Sequence, residues 1–65
     1  MITCLKLKSG ATFYTNLTIS EARTAITNEI EISVWWFAAW GQRFSEKLYI
    51  ADGELAYMIT ESDDG

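Results

Sequence analysis

Few side chains in this sequence could carry out catalysis. The 65 residues include a single cysteine, Cys4, and no histidine. A cysteine nucleophile needs an activating base, and without histidine general acid–base work would fall to carboxylates, lysine or tyrosine. The chain has neither a glycine-rich phosphate loop nor a paired-acid motif. We therefore expect a protein that is not an enzyme, in which Cys4 is a structural thiol.

The sequence also has few side chains that could bind a metal ion or a cofactor. One thiol and scattered carboxylates do not make a zinc site. A single-layer domain of this length also rarely encloses a ligand pocket of roughly 300 Å³ or more. We expect no metal and no cofactor. Because Cys4 has no second cysteine to pair with, self-association is the remaining common way to stabilise so small a chain.

The side chains that stand out are aromatic. The segment EISVWWFAAWGQR covers residues 31–43. Three tryptophans and one phenylalanine fall within six consecutive positions of it, 35–40. Alternation along a strand puts Trp36 in phase with Val34, which makes Trp36 a core residue. Trp35 and Phe37 then project from the opposite face, where exposed aromatic side chains mark interaction surfaces. Tryptophan is also among the residue types most enriched at binding hot spots.

These positions predict a protein interface. Its expected residues are Trp35, Phe37, Trp40, Tyr14, Arg43 and Tyr49. Trp40 has an alternative place in the core beside Trp36. We expect the first occupant of this surface to be a second copy of the chain, giving a homodimer or a higher oligomer. The second expected occupant is a host protein. The first predicted function is therefore that of a small interaction module that self-associates and blocks or tethers another protein.

The acidic balance bears on the choice of partner. Nine acidic and five basic residues give a net charge of −4. Because nucleic-acid affinity comes from lysine and arginine displacing counterions, direct nucleic-acid binding is not expected. An alternative function is mimicry, in which carboxylates imitate a nucleic-acid backbone and block a DNA- or RNA-binding protein. The candidates, which would otherwise form a solvated surface, are Glu46, Asp52, Glu54 and Glu61.

A third use of the aromatic side chains is ligand binding. An oligomer could form pockets between its subunits and sequester a nucleotide or another small ligand, with tryptophan or tyrosine stacked on its ring. Nothing in the sequence excludes this function, so it stays open beside the interaction module and the mimic.

Regular patterns predict the elements that would position these residues. Residues 2–15 alternate like a hairpin, with a two-residue S-G turn that ends at Gly10. Thr18 and Glu21 form a capping box at the start of a helix of about ten residues. Asn28 would end this helix in a left-handed conformation.

Three further strands are predicted after the helix. The first has one face formed by Ile30, Ile32, Val34 and Trp36, and a second formed by Glu31, Ser33, Trp35 and Phe37. The next two, FSEKLYIA and ELAYMIT, are joined by a hairpin turn at Asp52 and Gly53. The fold is therefore expected to be α+β, a ββαβββ antiparallel sheet with one helix packed on one face, or alternatively a small barrel capped by the helix. We expect one domain over residues 1–60 and a flexible acidic tail over 61–65.

The location is expected to be cytoplasmic. The longest uncharged apolar run, about seven residues, is far short of the roughly 20 that a membrane-spanning helix needs. The N-terminal segment MITCLKLKSG lacks the long apolar core of a secretory signal. A single thiol fits a reducing compartment.

The segments LKLKSGATFYTNLTISEA, residues 5–22, and KLYIADGELAYMI, residues 47–59, share an arrangement with other short chains. A strand and an S-G turn precede a capped helix, and a strand pair ends the chain. This order resembles that of short phage and bacterial proteins of unassigned function, and it includes no site motif. The resemblance implies a phage or mobile-element origin and a role as an inhibitor or adaptor of a host protein.

Overall fold

The computed structural model describes residues 1–61, which form one open antiparallel sheet with a helix on one face. The elements are β1 (Ile2–Leu7), β2 (Thr12–Thr15), α1 (Ile19–Thr27), β3 (Ile32–Phe37), β4 (Arg43–Leu48), a 3₁₀ turn (Asp52–Glu54) and β5 (Leu55–Glu61). Across the sheet the strands follow the order β4-β3-β2-β1-β5. The predicted α+β class and ββαβββ order are confirmed, and the barrel alternative is wrong because the sheet stays open between β4 and β5.

The predicted hairpin at residues 52 and 53 is wrong, because β5 does not lie next to β4. β5 pairs with β1, whereas β4 lies at the opposite edge of the sheet. The chain between β4 and β5 therefore crosses the sheet, and it buries Ile50 in the core on the way. Asp52–Glu54 form a 3₁₀ turn rather than a hairpin turn, and the Glu54 carbonyl accepts a hydrogen bond from the Lys8 N–H at 2.9 Å.

Both true hairpins have the same three-residue loop. In the first, the Gly10 N–H donates to the Leu7 carbonyl at 3.0 Å, and in the second the Gly41 N–H donates to the Ala38 carbonyl at 2.9 Å. The two glycines have φ values of +97° and +89°, a conformation that the third residue of such loops requires and that glycine adopts without strain. The predicted two-residue turn ending at Gly10 is thus one residue too short.

The helix start is as predicted. The Thr18 hydroxyl accepts from the Glu21 N–H at 3.1 Å, and the Glu21 carboxylate accepts from the Thr18 N–H at 2.9 Å. These reciprocal bonds satisfy two N–H groups that have no partner within the helix. The buried stripe of the helix is Ala22, Ala25 and Ile26, and its two small alanines allow close approach to the sheet.

The helix end differs from the prediction by one residue. Asn28 is the C-cap with φ −91°, and the left-handed residue is Glu29 at φ +58°. The Glu29 N–H donates to the Ile26 carbonyl and the Ile30 N–H to the Ala25 carbonyl, which is a Schellman motif. This turn displaces Ile30 from the strand. The prediction that Ile30 lies on the core face of β3 is therefore wrong, and its side chain is 53% exposed.

Glu29→Gly is expected to stabilise the domain by about 1 kcal/mol, because an L-residue pays a steric cost in the left-handed conformation that glycine avoids. The measurement is urea unfolding followed by tryptophan fluorescence. Glu29→Gln is the matched control, since it removes the carboxylate near the helix C-terminus but keeps the side chain. An equal gain in both variants would assign the effect to charge and contradict the backbone explanation.

The core lies between α1, the crossing segment and one face of the sheet. Its fully buried sheet residues include Leu5 and Val34. Trp36 packs against this core, with the Phe13 ring edge-on at 5.4 Å and the Phe44 ring stacked at 5.9 Å between centroids. The expected core role of Trp36 agrees with this position.

Two buried threonine side chains form hydrogen bonds to the backbone of neighbouring segments. Thr3 donates its hydroxyl to the Leu17 carbonyl at 2.6 Å, and Thr15 donates to the Ser33 carbonyl at 3.0 Å. Both side chains are fully enclosed, so each hydroxyl needs its internal partner. They hold the loop that leads into α1 and the start of β3.

Glu61 is the last residue of β5, so the predicted tail does not begin there. The remaining tail positions, 62–65, lie outside the described residues. Within residues 1–61, no helix combines the length and apolar character needed to cross a bilayer.

Candidate functional site

The sheet face opposite α1, called here the open face, gathers most of the residues expected at an interface. Alternation and strand register place the following side chains on it: Ile2, Cys4, Lys6, Thr12, Tyr14, Ser33, Trp35, Phe37, Arg43, Ser45, Lys47, Tyr57, Ile59 and Glu61. The core cluster with α1 lies on the other face. The open face is therefore the side of the sheet that no helix of residues 1–61 covers.

An aromatic cluster occupies the middle of the open face. Tyr14 and Trp35 lie opposite each other on β2 and β3, and their rings stack at 6.1 Å between centroids. Phe37 meets the Tyr14 ring at 6.1 Å in an edge arrangement, and its side chain is 54% exposed. The Arg43 guanidinium carbon lies 5.0 Å from the centroid of the Trp35 ring. Four of the six predicted interface residues are thus brought together.

The other two predicted interface residues lie away from this cluster. Trp40 is at the middle of the β3–β4 loop, where it is 76% exposed and its indole N–H donates to the Gln42 side chain at 3.1 Å. The alternative that Trp40 fills the core is therefore wrong, since a loop tip cannot reach it. Tyr49 follows the far end of β4, about 20 Å of strand from Arg43.

Two exposed large apolar residues of the open face were not predicted from the sequence. Tyr57 and Ile59 are 49% and 46% exposed, and they lie beside Lys6 and Cys4 on β1. Their alternation with Met58, which packs against the core, was visible in ELAYMIT. However, their place next to the aromatic cluster depends on the pairing of β5 with β1, which the sequence did not reveal.

Cys4 lies on the open face but is buried, at 4% exposure. It is flanked by Tyr14 on one side and Ile59 on the other, and these larger side chains stand above the small thiol. Burial raises the pKa of the Cys4 thiol above its ordinary value, and the nearby Glu61 carboxylate raises it further against the lowering effect of Lys6. A thiol in this environment is a poor nucleophile.

The charges of the open face are divided between its two edges. Arg43 and Lys47 lie on β4, and Glu61 lies on β5. Between them, the Lys6 ammonium donates to the Thr12 hydroxyl at 2.7 Å. One edge of the face is therefore basic and one corner of the other edge is acidic.

The four carboxylates predicted as a mimic surface are dispersed. Glu46 lies opposite Val34, on the helix side of the sheet, whereas Glu61 lies on the open face at the other edge. Asp52 and Glu54 lie in the 3₁₀ turn. Mimicry needs carboxylates aligned along one surface, and this placement gives no such row. The mimic function stays a prediction without support from the geometry.

A groove of about 710 Å³ extends from α1 past the segment after β2 to open-face side chains of β3 and β4, a volume within the usual range of ligand sites, roughly 300–1,000 Å³. It therefore shares Trp35, Arg43 and Lys47 with the open face. Its lining includes Thr24, Ile32, Trp35, Arg43, Lys47 and Glu31. The groove is open to solvent, so it does not test the expectation that so small a domain rarely encloses a ligand pocket.

Within residues 1–61, no three cysteine, aspartate or glutamate side chains are grouped so as to hold a metal ion. Comparison of the chain with protein-family models, characterised proteins and solved structures gives no match.

Proposed function

We propose that this protein is a non-enzymatic interaction module that self-associates through the open face, as a homodimer. The observation that carries the proposal is the aromatic cluster of Tyr14, Trp35 and Phe37 on a sheet face that α1 leaves uncovered. Soluble monomers rarely expose contiguous apolar surface, and aromatic residues with arginine are the side chains most enriched at interfaces.

The small size of the domain supports the same proposal. A 65-residue chain gains little stability from its own core. Covering the open face would bury its aromatic and aliphatic side chains, so dimerisation and folding would stabilise each other.

A host protein is the second occupant in this proposal. A partner that presents its own apolar surface would compete with the second copy for Trp35 and Phe37, and the module would then inhibit or tether that partner. This is the role implied by the resemblance to short phage and bacterial proteins. The buried, weakly acidic Cys4 thiol supports a role without covalent chemistry, and one unpaired thiol favours a reducing, cytoplasmic location.

Sedimentation equilibrium over a micromolar to millimolar concentration series tests the self-association. The expected result is a mass that rises from the monomer value of 7.4 kDa to twice that value. A mass that stays at the monomer value throughout would overturn the proposal. Added salt is expected to weaken the dimer only modestly, because apolar contacts dominate it and screening acts on the charges at its edges.

Ligand binding in the groove is a second candidate function, favoured by the groove's volume and by the Trp35 ring and two cations in its lining. A nucleotide or another aromatic anion would pair with Arg43 and Lys47, against the repulsion of Glu21 and Glu31 in the same lining. Calorimetric titration with adenosine monophosphate and with anilinonaphthalene sulfonate tests the idea. Thr24→Trp should narrow the groove and weaken binding, whereas Thr27→Trp, on an exposed helix position outside the lining, should not. No binding of either probe to the original chain would exclude this candidate for ligands of that class.

A further inference from the structure

The strand register arranges the open face in three rows that run across the sheet. One row is Tyr57, Lys6, Thr12, Phe37 and Arg43; the middle row is Ile59, Cys4, Tyr14, Trp35 and Ser45; the third is Glu61, Ile2, Ser33 and Lys47, without a residue from β2. Arg43 and Lys47 therefore occupy two corners on β4. Tyr57 and Glu61 occupy the two matching corners on β5.

Two copies that pack open face to open face can be related by a two-fold axis along the strands or across them. An axis along the strands places β4 of one copy over β5 of the other and keeps each row opposite itself. An axis across the strands places β4 over β4 and exchanges the first row with the third. Sheets packed in this way lie about 10 Å apart and are rotated by roughly 30°, so either arrangement brings side chains of opposed positions into contact.

The charges distinguish the two arrangements. With the axis along the strands, Lys47 meets the partner's Glu61, and Arg43 meets the ring of the partner's Tyr57. With the axis across the strands, Arg43 meets the partner's Lys47 at both ends of the interface. Like charges opposed in an interface suppress that arrangement, whereas complementary charges set its register.

The sizes of the side chains in the middle row also favour the axis along the strands. Cys4 is the low point of this row, buried between Tyr14 and Ile59. An axis along the strands places the large Trp35 ring over the partner's Cys4, so that a bulky side chain fills a depression. The same axis places Phe37 over the partner's Lys6, which is a cation–π pair. An axis across the strands would instead oppose Trp35 to itself and leave the two depressions facing each other.

We propose that the homodimer is a two-layer sheet sandwich whose two-fold axis runs along the strands, with β4 of each copy over β5 of the other and an ion pair between Lys47 and the partner's Glu61. This inference rests on the proposed self-association through the open face and specifies its geometry. The ion pair occurs twice in each dimer, once on each side of the axis.

Charge reversal tests the arrangement. Lys47→Glu and Glu61→Lys each replace two attractive pairs with two repulsive ones, and each variant alone is expected to dimerise about tenfold more weakly at low salt. Mixing the two variants in equal amounts should restore dimerisation, because every heterodimer regains both opposite-charge pairs. Native mass spectrometry distinguishes the heterodimer from the homodimers once one variant is isotope-labelled, and circular dichroism checks that each variant folds.

Glu46→Lys is the matched control, since it reverses a charge on β4 but on the helix side of the sheet; its dimerisation should stay near that of the original chain. A Lys47→Glu variant that dimerises more tightly would overturn the arrangement in favour of the axis across the strands, where the new glutamate meets the partner's Arg43. Failure of the mixture to recover would also overturn it. In both cases the original chain still dimerises, whereas a strictly monomeric original chain overturns the proposed function itself.

Discussion

Trp35→Ala is expected to fold and to lose self-association, with a dissociation constant raised at least about 30-fold, the equivalent of the 2 kcal/mol that defines a hot spot. Trp35 stacks on Tyr14 and carries the Arg43 guanidinium above its ring, so its removal also loosens two neighbours on the open face. The helix-side core does not include its side chain. Sedimentation equilibrium measures the dimer, and urea unfolding checks the fold.

Trp40→Ala is the matched control for this variant. It removes the same side chain from the β3–β4 loop, where Trp40 is 76% exposed and bonds only to Gln42 among the described side chains. It should dimerise like the original chain. Equal dissociation constants for Trp35→Ala and the original chain would show that the open face is not the interface. Loss of the dimer in Trp40→Ala but not in Trp35→Ala would move the interface to the loop.

Leu5→Ala is expected to remove a large part of the free energy of unfolding. Leu5 lies on the inner strand β1, between β2 and β5, with no exposed surface, and deleting a buried leucine side chain to alanine costs about 2–5 kcal/mol. A domain of this size is stabilised by only about 3–10 kcal/mol in total, so the loss is comparable to the whole. The measurement is urea unfolding at a fixed protein concentration, because dimerisation adds stability that depends on concentration.

Ile30→Ala gives the comparison for the core variant. It deletes the same number of carbon atoms from a side chain that is 53% exposed, and it should cost under about 1 kcal/mol. Similar losses in both variants would contradict the position of the core between α1 and β1. The comparison also tests the finding that the Schellman turn, and not β3, holds Ile30.

Local patterns were enough to predict the elements and the split of the aromatic run. A strand side chain points to the face opposite its neighbour's, so Trp35 and Trp36 had to differ in environment once the segment was a strand. The capping box of Thr18 and Glu21 likewise depends only on residues three apart. Errors arose where a turn of one extra residue changed the outcome, as at Gly10 and Glu29.

Long-range placement could not be predicted in the same way. The D-G dipeptide at residues 52 and 53 favours a hairpin locally, but burial of Ile50 against the helix and the free edge of β1 carry the chain across the sheet instead. That crossing places Tyr57 and Ile59 on the open face. It also puts Glu61 at the corner opposite Lys47.

The sequence by itself therefore determined which side chains share a face, because side-chain direction along a strand follows from backbone geometry alone. Only the tertiary structure decided which strands are neighbours, since strand order depends on how apolar surface from distant segments is buried together. The aromatic cluster depends on both the side-chain alternation and the strand order. Alternation put Tyr14, Trp35 and Phe37 on the face opposite the core, and the pairing of β2 with β3 brought their rings into contact.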